Sequence, residues 1–187
     1  MSVEESAQPA EVYFHRRMVG LELGLQLARV TISSAATITW GAQPLGGTRF
    51  ATERWIRRTR RRYLDMMALF MTGIAIVEIF LGQQNDGASA GEGSDLHRAI
   101  WIAVDMERSH GMGEYLASYG DVGDRRLDEI KHLDPHLMVR VDGVLREQLA
   151  RAKDIIERHR GASVRLRQDL LERLDLSGEE VLAVFSY

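Results

Sequence analysis

The chain of 187 residues contains no cysteine and only three prolines. Without cysteine it can form neither a disulfide nor a thiolate metal site, which fits the reducing cytoplasm. No Gly-x-x-x-x-Gly-Lys-Ser/Thr string occurs in it, so we expect no ATP site of the P-loop kind in this chain. The first eleven residues are acidic and polar and do not have the pattern of a secretory signal. We therefore expect a cytoplasmic protein whose ATPase partner, if it has one, is encoded separately.

Long hydrophobic runs are also missing. The most apolar stretch, residues 66–77, has twelve residues and lies between Asp65 and Glu78. A helix that crosses a bilayer needs about 20 apolar residues. The sequence therefore predicts a buried core helix at this position and no membrane span.

The composition is that of a globular protein, with 45% hydrophobic residues, 27% charged residues and a net charge of −3. Such a chain has enough apolar side chains to build a core. We predict a disordered lead over residues 1–10 and one domain over residues 11–187, whose C-terminal part, 134–187, is helical. The negative net charge argues against nucleic acid as a partner.

Residue periodicity predicts a mainly helical α+β fold. Apolar positions in residues 11–30 have helical spacing and lead into a short strand. Four residues that favour β structure then predict a small hairpin or sheet near residues 30–41: Val30, Ile32, Ile38 and Trp40. The next helix is predicted over residues 51–82, with a start at Thr52 and a kink near Gly73.

Signals at helix ends predict the remaining helices. Ser94 or Asp95 is a suitable N-cap for a helix that ends at residues 110–113. Asp134 before Pro135 predicts the start of a long helix that reaches about Arg160. A further helix is predicted over residues 162–174, and residues 177–180 form a capping box that opens a short final helix.

The first helix carries a string of chemical interest, His15-Arg16-Arg17-Met18-Val19. Zinc proteases use His-Glu-x-x-His on a helix, because residues four apart lie on one face and two imidazoles can then bind the same metal. The glutamate between them acts as general base on the metal-bound water. In this chain the first ligand position is a histidine, while an arginine and a valine occupy the other two positions.

Five local strings in the same order resemble the protease domain of the FtsH-type AAA+ zinc metalloproteases, and the likeness covers residues 10–186. They are Tyr13 to His15, Val30 to Ile32, the glycine and glutamate pattern of Gly73, Glu78 and Gly82, the segment around Ser94-Asp95-Leu96, and a tail with Asp142, the string ERHR and the string LSGEEV. The resemblance implies the helical fold of that domain. It also implies that Asp95 occupies the position of the third zinc ligand.

Carried over position by position, the resemblance leaves an incomplete site. His15 and Asp95 are remnants of the ligand set, while Arg16 replaces the glutamate and Val19 replaces the second histidine. A catalytic zinc needs three protein ligands and an open position for water, and an arginine cannot accept a proton at neutral pH. Glu22 lies two helical turns, about 10 Å, beyond His15 and is too far to substitute. His97 and His110 are further candidate ligands, although no spacing links them to the site. We therefore expect no catalytic residue and no bound zinc.

Arginines are concentrated after this first region, at Arg54, Arg57, Arg58, Arg60, Arg61 and Arg62. They are interpreted either as a solvated helix face or as a patch that binds an acidic partner or nucleic acid, with Arg57, Arg58 and Arg61 as its candidate residues.

Three hypotheses for function follow from these residues. The first is a catalytically inactive protease-like domain that binds a protein, either a second copy of itself or a separate AAA+ protein. The second is a zinc metallopeptidase with a rebuilt ligand set. The third is a module that binds anions or nucleic acid through the Arg54–Arg62 region.

Overall fold

A computed structural model describes residues 15–16, 18–24, 27–32, 46–50, 58–82, 91, 93–116, 118, 129, 134–161, 169, 172, 175–177 and 179–180. This part of the chain is mainly helical, as the sequence predicts. It divides into two compact units, one formed by Met1–Arg54 with Asp154–Tyr187 and the other by Trp55–Lys153. The two units are described one after the other.

The first unit contains a short helix and a small sheet. Helix α1 comprises residues 15–22, with residue 17 outside the described part, and it ends in a turn where Gly24 has a φ of 73°. Strand β1 (Leu27–Ile32) lies between β2 (Gly46–Phe50) and β3 (Asp175–Ser177) and is antiparallel to both. In this register Val30 lies opposite Thr48 on one side and Leu176 on the other.

The hairpin predicted near residues 30–41 is not confirmed. Its first predicted strand overlaps β1, whereas Ile38 and Trp40 lie outside the described residues. The partners that β1 has in the structure come from residues 46–50 and 175–177. The β3 partner is distant in sequence, and no local turn signal indicates such a pairing.

The described part of the second unit contains three long helices around one hydrophobic core. Helix α2 (Arg60–Ile76) continues into a π-helical segment, Val77–Leu81, and is followed by α3 (Asp95–Arg108) and α4 (Pro135–Arg158), which belongs to this unit through Lys153. Eleven buried residues from the three helices form the core: Tyr63, Met67, Met71, Ala99, Ile102, Ala103, Val104, Met106, Leu137, Val141 and Leu145. Most of these residues recur three or four positions apart along each helix, which places them on one buried face.

The start of α2 differs from the sequence prediction. Thr59 has extended backbone angles, and its hydroxyl oxygen accepts a hydrogen bond from the backbone N–H of Arg62 at 3.3 Å. The helix therefore begins after Thr59 and not at Thr52, because the side chain of Thr59 satisfies an N–H group that has no partner within the helix. The helix runs without interruption through Gly73, and its irregular part is the π-helical segment four residues later.

Three other predicted helix starts that fall in the described part are confirmed, whereas the helix predicted to end at residues 110–113 ends at Arg108. Ser94 caps α3 by accepting a hydrogen bond from the His97 N–H at 3.2 Å, and Asp134 caps α4 through the Leu137 N–H at 2.9 Å. In the capping box, the Ser177 N–H binds the Glu180 carboxylate at 2.8 Å, and the Glu180 N–H binds the Ser177 hydroxyl at 3.3 Å. The helix predicted over residues 162–174 lies largely outside the described residues.

Among the described residues, one helical stretch, Arg60–Phe80, could cross a membrane by length and composition alone. In the structure 61% of its most apolar window is buried within the protein. Core helices of soluble proteins have the same composition, and α2 contributes Tyr63, Met67 and Met71 to the core of the second unit.

Candidate functional site

The two histidine positions of the zinc-protease string, occupied here by His15 and Val19, are both buried in the first unit. The exposed fraction is 3% for His15 and 0% for Val19, and Met18 next to Val19 is also buried. Because residues four apart share a helix face, His15 and Val19 both lie on the buried side of α1. Arg16, at the position of the general base, is half-buried.

Glu22, at the end of α1, is held by two basic residues of the same unit. Its carboxylate accepts a hydrogen bond from Arg158 Nη1 at 2.7 Å and lies 3.1 Å from His159 Nε2. The hydrogen bond from Arg158, followed by the contact with His159, lowers the pKa of Glu22 below its ordinary value of 4.5, although partial burial opposes this. The same bond raises the pKa of Arg158. In this structure the Glu22 carboxylate is therefore used in an ion-pair network.

The stability of the first unit should depend on the protonation of Glu22. A carboxyl group whose pKa is lowered by folding contributes stability above its unfolded pKa, and the contribution is lost as the pH falls through the lower folded value. We expect Glu22→Gln to destabilise the protein at about pH 7, and the difference from the wild type to disappear as the pH falls through the lowered pKa of Glu22. Urea unfolding followed by circular dichroism at several pH values measures this.

Glu157→Gln is the matched control for that experiment, because Glu157 is also exposed and makes only a 3.7 Å contact with Arg160, three residues away. Its effect at neutral pH should be smaller than that of Glu22→Gln. An equal effect of the two substitutions at every pH would contradict the role given to Glu22.

Asp95, the other remnant ligand, lies in the second unit, whereas His15 lies in the first. It is the first residue of α3 and is half-buried directly after the Ser94 cap. An acidic residue in the first turn also interacts favourably with the positive end of the helix dipole. Its position is thus explained by the start of α3, whether or not it has a second role.

His97 and His110 are the two additional candidate ligands. His97 lies in the first turn of α3, and His110 lies just after its end. His110 lies after α3, with its Nε2 atom 2.9 Å from Asp105 Oδ2 and its ring 5.3 Å from that of Tyr63. The backbone of His97 is used in the Ser94 cap. Among the residues that the structure describes, no group of three or more histidine, aspartate or glutamate side chains could hold a metal ion.

Sequence reasoning missed three ion pairs that connect distant parts of the second unit. Arg151 Nη2 lies 2.8 Å from Asp65 Oδ1, Arg140 Nε lies 3.1 Å from Glu107 Oε2, and Lys153 pairs with Glu78. Asp65 and Glu107 are buried carboxylates, so each needs a charged partner. The available signal was an acidic residue among apolar neighbours in a helix, which indicates a partner but does not identify it.

Two of the three predicted anion-binding arginines lie within the described part of the chain. Arg58 and Arg61 are exposed at the start of α2, and Arg57 lies outside the described residues. Between them, the exposed Arg60 donates a hydrogen bond from Nε to the backbone oxygen of Met112 at 2.9 Å. The arginine-rich start of α2 is thereby attached to the loop that follows α3.

Comparison with known proteins gives several related sequences. The chain is 33% identical over 155 residues, 79% of its length, to "ATP-dependent zinc metalloprotease FtsH 1" of Symbiobacterium thermophilum. It is 26% identical over 163 residues to "ATP-dependent zinc metalloprotease FtsH" of Syntrophobacter fumaroxidans, and 28% identical over 132 residues to "ATP-dependent zinc metalloprotease YME1L" of Drosophila melanogaster. These matches cover 80% and 68% of this chain. No protein-family model matches the chain.

The relatives are much longer than the matched region. The match covers 24% of the Symbiobacterium protein, 25% of the Syntrophobacter protein and 18% of the Drosophila protein. The chain thus spans about a quarter of the length of the two bacterial relatives.

Proposed function

We propose that this chain, which is related to the FtsH-type metalloproteases, corresponds to their protease domain and acts by binding a protein and not by cleaving one. The similarity supports a metalloprotease-related domain. The finer assignment to the protease domain rests on the strings around His15, Gly73 and Asp95, which occur in the order of that domain.

The observation that carries the proposal is the combination of residue type and burial on α1. Val19 stands at the position of the second histidine and is fully buried, and it has no atom that can coordinate a metal. Arg16 stands at the position of the general base and has a permanent positive charge, which would repel a zinc ion. A catalytic zinc site also requires an open coordination position for water. These residues do not fit a catalytic zinc, so we derive no step of peptide hydrolysis for this protein.

A protease-like domain without catalytic residues can still bind other proteins through its surface. We propose that the surface binds either a second copy of the chain or a separate AAA+ protein. The proposal is supported by the exposed arginines at the start of α2, for which catalysis offers no role.

The first experiment is elemental analysis of untagged protein purified without chelators. We expect less than about a tenth of an equivalent of zinc per chain, because a third ligand is missing. A value near one equivalent, together with casein cleavage that His15→Ala abolishes, would overturn the proposal in favour of a rebuilt metallopeptidase site.

A restored variant provides the positive control. Arg16→Glu combined with Val19→His recreates the string His-Glu-x-x-His, and we expect this variant to contain more zinc than the wild type. Because Val19 is fully buried, circular dichroism must first show that the restored variant is folded. Failure of a folded variant to bind more zinc than the wild type would contradict the assignment of His15 to a ligand position.

A further inference from the structure

We infer that the second unit has a docking surface for an acidic, leucine-containing segment of a partner protein. The surface is formed by Arg58, Arg60 and Arg61 at the start of α2 and by Tyr115 and Leu116 in the loop after α3, and we call it the Arg–Leu surface. This inference rests on the proposed function and names the chemistry of the partner.

Among the described residues, the charged half of the Arg–Leu surface has no acidic partner. Arg58, Arg60 and Arg61 are exposed, and the first turn of α2 contains no acidic residue. Within the ranges that the structure describes, none of the three arginines makes an ion pair. Most of the other arginines of this unit whose side chains are described do have a charged or aromatic partner, such as Arg140, Arg146 and Arg151. The start of α2 therefore presents positive charge that no described residue neutralises.

The apolar half consists of two large side chains in solvent. The exposed fraction is 97% for Leu116 and 59% for Tyr115. Among the described residues, Val139 is the only other large apolar residue that is exposed. The guanidinium group of Arg140 lies over the Tyr115 ring, 4.9 Å from its centroid. An exposed tyrosine beside an exposed leucine offers apolar area that a partner protein can cover.

The two halves are adjacent because the hydrogen bond from Arg60 Nε to the Met112 oxygen joins them. Leu116 follows Met112 by four residues, which places it within about 14 Å along the chain even if the loop is fully extended. Arg58 precedes Arg60 by two residues and lies within about 7 Å of it. At these upper limits an extended segment of about ten residues can therefore reach both halves at once.

The chemistry of the surface favours an acidic protein segment over nucleic acid. A leucine gains free energy when another apolar side chain covers it, and a phosphate backbone does not provide one. Arginine, tyrosine and leucine together instead match a segment in which acidic residues alternate with apolar ones.

Fluorescence anisotropy with the full chain tests the inference. The probe is a fluorescein-labelled synthetic peptide of repeated Glu-Glu-Leu-Leu, and the comparison probes are the same peptide with serine for leucine and a labelled oligodeoxythymidine of about 15 nucleotides. We expect the first peptide to bind at least about tenfold more tightly than the serine peptide. Leu116→Ser, and separately Arg58→Glu with Arg61→Glu, should each weaken binding by about tenfold or more.

Two matched control variants distinguish binding at the Arg–Leu surface from nonspecific binding. Arg146→Glu removes an exposed arginine of α4, and Val139→Ser removes an exposed apolar side chain of α4. Both variants should change the affinity less than about twofold. Equal losses with the control variants would overturn the inference, as would binding of the oligonucleotide that depends on the arginines but not on Leu116.

The two proposals can fail separately. A wild-type protein that contains zinc and cleaves casein would overturn the proposed function, whether or not the peptides bind. Absence of peptide binding in a zinc-free, folded protein would overturn the Arg–Leu surface and leave the loss of catalysis intact.

Discussion

Arg151→Met is expected to lower the free energy of unfolding by about 3 kcal/mol. Asp65 is buried in α2, with 7% of its side chain exposed, and its Oδ1 atom lies 2.8 Å from Arg151 Nη2 on α4. Removal of the arginine leaves a buried carboxylate without its charged partner, which costs far more than the loss of the attraction itself. The arginine side chain is about a third exposed, so water can reach the carboxylate in part and the expected loss lies at the low end of the range for buried pairs.

Urea unfolding followed by circular dichroism measures this loss. Arg146→Met is the matched control, because Arg146 is on the same helix and pairs with Asp142 in an exposed i,i+4 contact at 2.7 Å. It should change the free energy of unfolding by less than about 0.5 kcal/mol. The double substitution Asp65→Leu with Arg151→Met should recover most of the stability, since no buried charge is then left. A loss in Arg151→Met no larger than in the control would show that water solvates Asp65 adequately.

Gly113→Ala is expected to destabilise the protein by about 2 kcal/mol. A Cβ atom on Gly113 would lie 2.2 Å from Glu107 Cδ, closer than any two such atoms can approach. Glu107 cannot move without cost, because its buried carboxylate is bound to Arg140 at 3.1 Å. The alanine therefore displaces the carboxylate from its arginine and loosens the loop that carries Tyr115 and Leu116.

A double-mutant cycle tests whether the loss of stability comes from the clash with Glu107 and not from alanine at position 113 as such. In a Glu107→Ala background the obstructing carboxylate is absent, so Gly113→Ala should be nearly neutral there. Gly143→Ala in α4 is a second control, because a Cβ at that position meets nothing within 4 Å. It should stabilise the helix by up to about 1 kcal/mol. Additive effects of Gly113→Ala and Glu107→Ala would contradict the proposed clash.

The replacement of the glutamate and the second histidine in the string of residues 15–19 is the part of the functional argument that residue identity alone supplies. An arginine at position 16 cannot act as a general base, and a valine at position 19 cannot bind a metal, whatever the fold. The structure adds that Val19 is fully buried and that Glu22 is engaged by Arg158. No spacing rule predicts that contact, because Glu22 and Arg158 are 136 positions apart in sequence.

The sequence by itself determined the helical class and the helix ends at Ser94, Asp134 and Ser177. Each of these caps is a hydrogen bond between residues three apart, so the local residue types are sufficient to form it. Thr59 obeys the same rule, and the prediction of a start at Thr52 was wrong because the hydroxyl of Thr59 accepts the Arg62 N–H and caps α2. Only the tertiary structure decided which threonine caps α2, which basic residues pair with Asp65 and Glu107, and that Arg60 joins α2 to the loop after α3. Those choices depend on which helix faces pack together, and packing is set by the shape of the whole core and not by any short stretch of the chain.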